Sequence, residues 1–197
     1  MKQTVDLNET YWANRYQTGK TGWDMGSVSP PLKAYFDQLK HKDLKILIPG
    51  AGNAYEAAYL WKSGFSNVHI LDLAENPLSA FQKKEPNFPT AQIFHENFFR
   101  HVGSYDLIVE QTFFCALDPE LRPKYVQKVA QLLKPSGKLI GLLWNKEMGT
   151  DQPPFGGSAD EYRALFSTDF KLDTLENSYN SIPPRVGNEF FFKFLKK

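Results

Sequence analysis

The stretch Leu44-Lys45-Ile46-Leu47-Ile48-Pro49-Gly50-Ala51-Gly52-Asn53-Ala54 (LKILIPGAGNA) decides the fold. Its first five residues are a short apolar run that stops at Pro49-Gly50, which predicts a buried strand. Beyond the glycines, Ala54, Ala57, Ala58 and Trp61 keep the i, i+3, i+4, i+7 spacing of a helix lying on a sheet, and Ser63-Gly64 stops it. A second strand follows, Val68 to Leu71, ending at Asp72. Asn76-Pro77 then predicts a helix start, because Asn caps well and Pro suits the first helical position.

Outward from this unit the alternation continues. Ala91 to Phe94 and Leu107 to Val109 read as the third and fourth strands. Tyr125, Val129, Leu132 and Leu133 keep helical spacing up to Lys134-Pro135-Ser136-Gly137. Leu139 to Trp144 has no polar alternation, as expected of a strand covered on both faces. Strands alternating with helices imply right-handed crossovers and a mostly parallel sheet. After a helix over Asp160 to Phe166, the strands Lys171 to Leu175 and Phe190 to Leu195 have only the loop Asn177 to Asn188 between them. They therefore predict an antiparallel hairpin at the sheet edge. Before the first strand, Ser29-Pro30 with Leu32, Tyr35, Phe36 and Leu39 predicts a capped amphipathic helix, so residues 1–40 form a cap ahead of a three-layer α/β body. With 197 residues and 42% apolar composition, one domain spanning 1–197 is expected.

Composition narrows the function. Lys+Arg 23 against Asp+Glu 22 leaves a formal charge of +1, without the basic excess of a nucleic-acid binder. The single cysteine, Cys115, can form neither an internal disulfide nor a cysteine zinc site, and no metal is expected. The polar start MKQTVDLNET does not resemble a signal peptide, and Leu139 to Trp144 is too short to span a bilayer. A cytoplasmic protein without membrane or nucleic-acid partners is expected, as a monomer or a dimer. The 15% aromatic content demands a use.

In an open α/β sheet, ligands lie at the carboxyl ends of the strands. Gly50-Ala51-Gly52 there is either an ordinary tight turn or one that admits a ligand close to the backbone. A nicotinamide fingerprint wants a third glycine where Tyr55 stands, so a nucleoside without phosphates is the better guest. Asp72 suits the two vicinal hydroxyls of a ribose. Asn97 can bond the exocyclic amine of adenine, and Phe98 offers an apolar face. Glu110-Gln111-Thr112-Phe113-Phe114 fits a pocket floor. Glu56 is either solvent-exposed or in reach of an amino-acid ligand's amine. Arg185 is either an attractor of anionic substrate or half of a surface salt bridge. Of the histidines, only His95 falls near this region, and it reads as structural, while Cys115 reads as a small buried residue.

The order of these features resembles a class I S-adenosylmethionine-dependent methyltransferase. Trp12, Tyr16 and Trp23 keep the aromatic spacing of the thiopurine methyltransferase family, and in particular of its halide/thiol branch in plants. Gly22-Trp23-Asp24-Met25-Gly26, Ile48 to Gly52, Phe113 to Leu117, Leu121-Arg122-Pro123, Leu133-Lys134-Pro135, Pro153-Pro154-Phe155 and Ile182 to Arg185 agree as well, so the similarity runs from Tyr11 to the C-terminus. The resemblance implies a Rossmann-like methyltransferase fold with a seven-stranded, mostly parallel sheet and an N-terminal helical cap. It implies S-adenosyl-L-methionine as cofactor, held by Trp12, Tyr16, Trp23, Gly50, Asp72, Asn97, Phe98 and Gln111. It also implies a small-molecule methyl acceptor, a thiol or a halide, with O- or N-methylation of another metabolite, or cofactor binding without turnover, as the alternatives. Tyr16 stands where the plant enzymes commonly carry Trp, Asn97 where they carry Asp, and Gln111 where they carry Tyr.

Overall fold

The computed structural model describes residues 5–197; Met1 to Thr4, the start of the polar stretch, lie outside the described residues. In chain order the helices are α1 (Glu9–Gln17), α2 (Pro30–Phe36), α3 (Tyr55–Lys62), α4 (Glu75–Lys84), α5 (Arg122–Leu132) and α6 (Ala159–Phe166). The strands are β1 (Ile46–Pro49), β2 (Val68–Asp72), β3 (Ile93–His95), β4 (Tyr105–Gln111), β5 (Leu133–Trp144), β6 (Phe170–Asn177) and β7 (Glu189–Lys196). They form one sheet in the order β3-β2-β1-β4-β5-β7-β6, with β3 to β5 parallel and β7 antiparallel to both of its neighbours.

The period of two along the strands sorts the apolar side chains into two cores. Ile46 and Ile48, Leu107 and Val109, and Ile140 and Leu142 face one side, with Leu32 and Phe36 of α2, Ala57 and Leu60 of α3, and Leu78 and Phe81 of α4. Leu47, Ile108, Leu139 and Leu143 face the other, with Tyr125 and Val129 of α5 and Tyr162 and Phe166 of α6. Helices on both faces leave the strand ends as the open rim, and the strand order reverses between β1 and β4, where such sheets open a crevice.

The expected antiparallel hairpin closes one edge of the sheet, with β6 outermost and β7 between β5 and β6. Phe192 and Phe194 bury into one core while Phe191 packs against the other, a two-faced demand that the inner place meets. Three expectations need correction. Helix α4 starts at Glu75 rather than at an Asn76 cap, because the Asp72 carboxylate accepts the Ala74 N–H at 2.8 Å and turns the chain early. Ser29 gives α2 no side-chain cap. Finally, of the forty-residue cap, α2 is buried in the body through Leu32 and Phe36, whereas α1 and the Thr21 to Met25 region stand over the rim. Helix α1 itself shows no amphipathic stripe and buries no residue fully; Asn8 caps it by accepting the Tyr11 N–H at 3.0 Å.

Candidate functional site

A cavity of about 890 Å³ opens at the carboxyl ends of β1, β2 and β4. It is lined by Trp12, Tyr16, Trp23, Gly50, Asp72, Asn97 and Phe98 among others, so seven of the eight expected positions share one space. The eighth, Gln111, lines a smaller side cavity of about 50 Å³ that shares Trp23, Gly50 and Thr112 with the main one.

The glycine turn is built around Asp72. The Asp72 carboxylate accepts the Gly52 N–H at 2.8 Å on one oxygen and the Ala74 N–H at 2.8 Å on the other, tying β2's end to the turn after β1. Burial pushes its carboxyl above the usual range, opposed by those N–H groups. Each oxygen retains a lone pair, so the acceptors left over match the O–H donors of two hydroxyls. Asn97 turns the loop after β3 by accepting the Phe99 N–H at 2.8 Å, leaving a second lone pair on its Oδ1 to accept from an amine, and its N–H₂ as a donor, beside buried Phe98.

Aromatic rings roof the cavity. Trp23 meets Trp12 edge-to-face at 5.6 Å and Tyr16 at 5.7 Å. Burial raises the Tyr16 phenol above its ordinary value, with the Asp72 charge adding to the effect. The roof is tied down at several points. Asp24 accepts from Asn53 at 2.6 Å and Arg185 donates to the Trp23 carbonyl at 2.8 Å. Glu56 accepts the Ser29 N–H at 3.0 Å. Glu56 is thus buried, at 5% exposure, and not solvated as its plainer reading held. Arg185 is likewise buried rather than on the surface. It pairs with Glu189 at 3.1 Å, stacks over Trp144 at 5.3 Å and lines the cavity.

Phe113, Cys115, Leu117, Trp144, Met148, Pro153 and Pro154 give the cavity an apolar stretch of wall, alongside the charged Arg15, Asp118 and Arg185. Burial pushes the Cys115 thiol up to about 12, which keeps it protonated and inert. Phe113 lies so close to Gly50 that a Cβ there would sit 2.3 Å from its ring. Just before it, Thr112 adopts φ +57°, a left-handed conformation that costs a β-branched residue on the order of 1–3 kcal/mol. His95 stays outside this space, bridging Glu9 and the Leu73 carbonyl at 3.1 Å each.

Sequence reasoning did not single out Trp144, Met148 or Arg15 as cavity residues. The Pro153-Pro154-Phe155 match carried the signal for that wall, since the Phe155 N–H bonds the Cys115 carbonyl at 2.7 Å. Among the described residues no helix is long and apolar enough to cross a membrane, and no group of three or more His, Cys, Asp or Glu is arranged to hold a metal ion.

The chemistry of the donor set fits S-adenosylmethionine. A buried carboxylate with two spare lone pairs suits its ribose, an amide beside an apolar ring suits its adenine, and ring faces suit its sulfonium. Gln111 also holds a buried Oε1 without a partner, an acceptor still open to a donor.

Comparison with known proteins agrees. The thiopurine S-methyltransferase (TPMT) family model matches residues 7–191. The chain is 30% identical over 184 residues to "Probable thiol methyltransferase 2" of Arabidopsis thaliana, covering 90% of this chain and 81% of that one. It is 30% identical over 195 residues to "Thiocyanate methyltransferase 1" of Brassica oleracea, covering 96% and 85%. Among solved structures, the 1,6-didemethyltoxoflavin-N1-methyltransferase of Burkholderia thailandensis, with bound S-adenosylhomocysteine, superposes with a TM-score of 0.77 at 15% identity, covering 96% of this chain and 87% of that one, a likeness of fold. With that fold, a family match over nearly its whole length and a cavity suited to the cofactor, the chain belongs to the thiopurine S-methyltransferase family and is an S-adenosylmethionine-dependent methyltransferase.

Proposed function

We propose that this chain methylates the sulfur of a small organic thiol. The observation that carries the reading is the mixed lining of the cavity. It brings polar Asp72 and Asn97 together with apolar Phe98, Phe113, Trp144 and Met148 under the aromatic roof. When bound, S-adenosylmethionine supplies a methyl carbon on a positively charged sulfur, open to in-line displacement.

The chain's own residues have three tasks: holding the cofactor, excluding water and aligning the acceptor. Asp72 accepts from the ribose hydroxyls, while Asn97 and Phe98 hold the base. Trp12, Tyr16 and Trp23 offer ring faces to a cation, worth about 0.5–2 kcal/mol within about 6 Å. That attraction fades as positive charge leaves the sulfur, so these rings serve binding more than rate. Gln111 accepts a donor from the cofactor's amino-acid end through its open Oε1. The apolar wall strips water from the nucleophile, and alignment in such a chamber supplies roughly 7–11 kcal/mol of the barrier reduction.

No protein base is required. A thiol with a pKa near 8.5 is already a few per cent thiolate at neutral pH. The charge of Arg185 is balanced by Glu189, so this arginine holds Trp23 and lines the cavity. A thiol is favoured over a halide on two grounds. The apolar side chains Phe113, Trp144 and Met148 suit an organic group, and Gln111 replaces the tyrosine of the halide/thiol branch. The names of the relatives, a thiol and a thiocyanate methyltransferase, support the same sulfur chemistry.

The test is a panel of thiols, halides, thiopurines and O- or N-nucleophiles with methyl-labelled cofactor. Organic thiols are expected to turn over faster than iodide or chloride. Labelling of an oxygen or nitrogen acceptor with none of the thiols labelled overturns the proposal.

A further inference from the structure

We propose that Glu110 is a positioning residue for methyl transfer, its carboxylate holding the left-handed Thr112 turn that sets Phe113 and Cys115 in the acceptor wall. The inference rests on the reading of the cavity as the methyl-transfer site. It concerns a residue that does not itself line that cavity.

Glu110 is next to last in β4 and is 1% exposed. One of its oxygens accepts two successive backbone N–H groups, of Phe113 and Phe114, both at 2.8 Å. The other accepts the Tyr125 O–H from α5 at 2.7 Å. A buried carboxylate is costly unless fully bonded, and here every bond it makes serves one turn and its anchor. The neighbouring strand is shaped to admit it. Gly141 pairs with Glu110 across β4 and β5, and a Cβ at Gly141 would lie 2.2 Å from the Glu110 carbonyl oxygen and 2.5 Å from its Cβ.

What this strut holds is a conformation the chain resists. Thr112, at φ +57°, lies between Glu110 and the two N–H groups it captures. A β-branched residue returns to φ below zero unless its surroundings hold it. Relaxation of Thr112 swings Phe113 off the face of Gly50 and moves Cys115, and both residues line the cavity. Of the residues on the cofactor side, Gln111, Gly50 and Phe98 adjoin this turn, whereas Asp72, Asn97 and the roof rings come from β2, the loop after β3 and the cap. The effect of losing the strut therefore falls on alignment more than on cofactor binding.

The requirement is for an oxygen at the right reach, which separates this role from two others. A base or a direct electrostatic role would make Glu110→Gln the worst variant and Glu110→Asp the best. A purely stabilising role would move kcat, cofactor affinity and Tm together. Positioning predicts that Glu110→Gln stays within about threefold of the wild type in kcat, because its amide oxygen still accepts both N–H groups, while Glu110→Asp falls below it and Glu110→Ala falls roughly tenfold to a hundredfold. S-adenosylhomocysteine affinity, read by calorimetry without any acceptor, falls by a clearly smaller factor than kcat in each variant, because Asp72, Asn97 and the roof stay in place. Adding Thr112→Gly to Glu110→Ala recovers most of the lost kcat, since glycine needs no strut to keep a positive φ.

If the alanine variant does not fold, the Asp and Gln pair carries the same comparison. The inference is overturned if Gln is as impaired as Asp or Ala, if affinity falls in step with kcat, or if Asp and Ala retain wild-type kcat. Failure of the site reading appears separately, as absence of S-adenosylhomocysteine binding by the wild type.

Discussion

Replacing Glu110 with Gln should make the protein more stable as the pH rises. Burial moves the Glu110 carboxyl from its ordinary 4.5 up to about 7, a movement only partly opposed by the Phe114 and Phe113 N–H groups and the Tyr125 hydroxyl. Below pH 4.5 the side chain is protonated in both folded and unfolded chains, so its stabilising contribution is fully present. Between 4.5 and 7 the unfolded chain has released its proton while the folded one keeps it, and stability falls across that interval and levels above it. At about 1.4 kcal/mol per pH unit, the interval corresponds to about 3 kcal/mol. Glutamine cannot titrate. The stability of Glu110→Gln minus that of the wild type should therefore grow by about 3 kcal/mol from pH 4.5 to pH 8, or roughly 6–12 °C in Tm for a chain of this size. Tyr125, Cys115 and Tyr162, the titratable groups that feel Glu110, are pushed to higher pH and stay neutral throughout. Urea melts of both proteins across the range give the number. A difference that does not change with pH, or one that moves in favour of the wild type as pH rises, refutes the reasoning.

Other outcomes follow from the same geometry. Asp72→Ala should weaken S-adenosylhomocysteine binding by about 1–3 kcal/mol by calorimetry, since it leaves the Gly52 and Ala74 N–H groups and the ribose hydroxyls without their acceptor. An unchanged affinity removes Asp72 from the site. Trp23→Ala should raise the KM for S-adenosylmethionine severalfold to about thirtyfold, as loss of a ring face from the roof requires; an unchanged KM for the cofactor refutes the roof. Gly50→Ala should abolish cofactor binding and lower Tm, because the added Cβ meets Phe113 at 2.3 Å on a backbone at φ +60°, and a variant that binds normally refutes that close approach.

Much of this was written locally. The runs ending at Pro49-Gly50 and at Asp72 carry their own stop signals, so β1, β2 and the turns that hold the ligand end could be read directly. Pairing order is different, because it depends on which face each strand must bury. The evidence for an inner β7 was nonetheless present: Phe190-Phe191-Phe192 with Phe194 is apolar on both faces, whereas Lys171 to Asn177 alternates with polar residues as an edge does. The aromatic roof was recognised through resemblance and not from periodicity, since α1 has no buried stripe to detect. Glu56 and Glu110 were the least legible. A glutamate in sequence looks solvated, and its burial depends on partners such as the Ser29 N–H, 27 positions away, or on space made by a glycine in the next strand.

The placement of β7 between two strands made before it has a consequence for synthesis. As the polypeptide leaves the ribosome, β6 emerges with no hydrogen-bonding neighbour, since its only partner in the finished sheet is still unmade. Neither can β5 complete its outer edge. Both must wait, exposed, until β7 arrives and is inserted as a wedge that satisfies two ladders at once. The half of the molecule bearing the glycine turn can assemble early, but the half that walls the acceptor is closed last. A nascent chain halted before Glu189 should therefore be vulnerable to strand capture by its neighbours, and occupancy by chaperones should be greatest in that window.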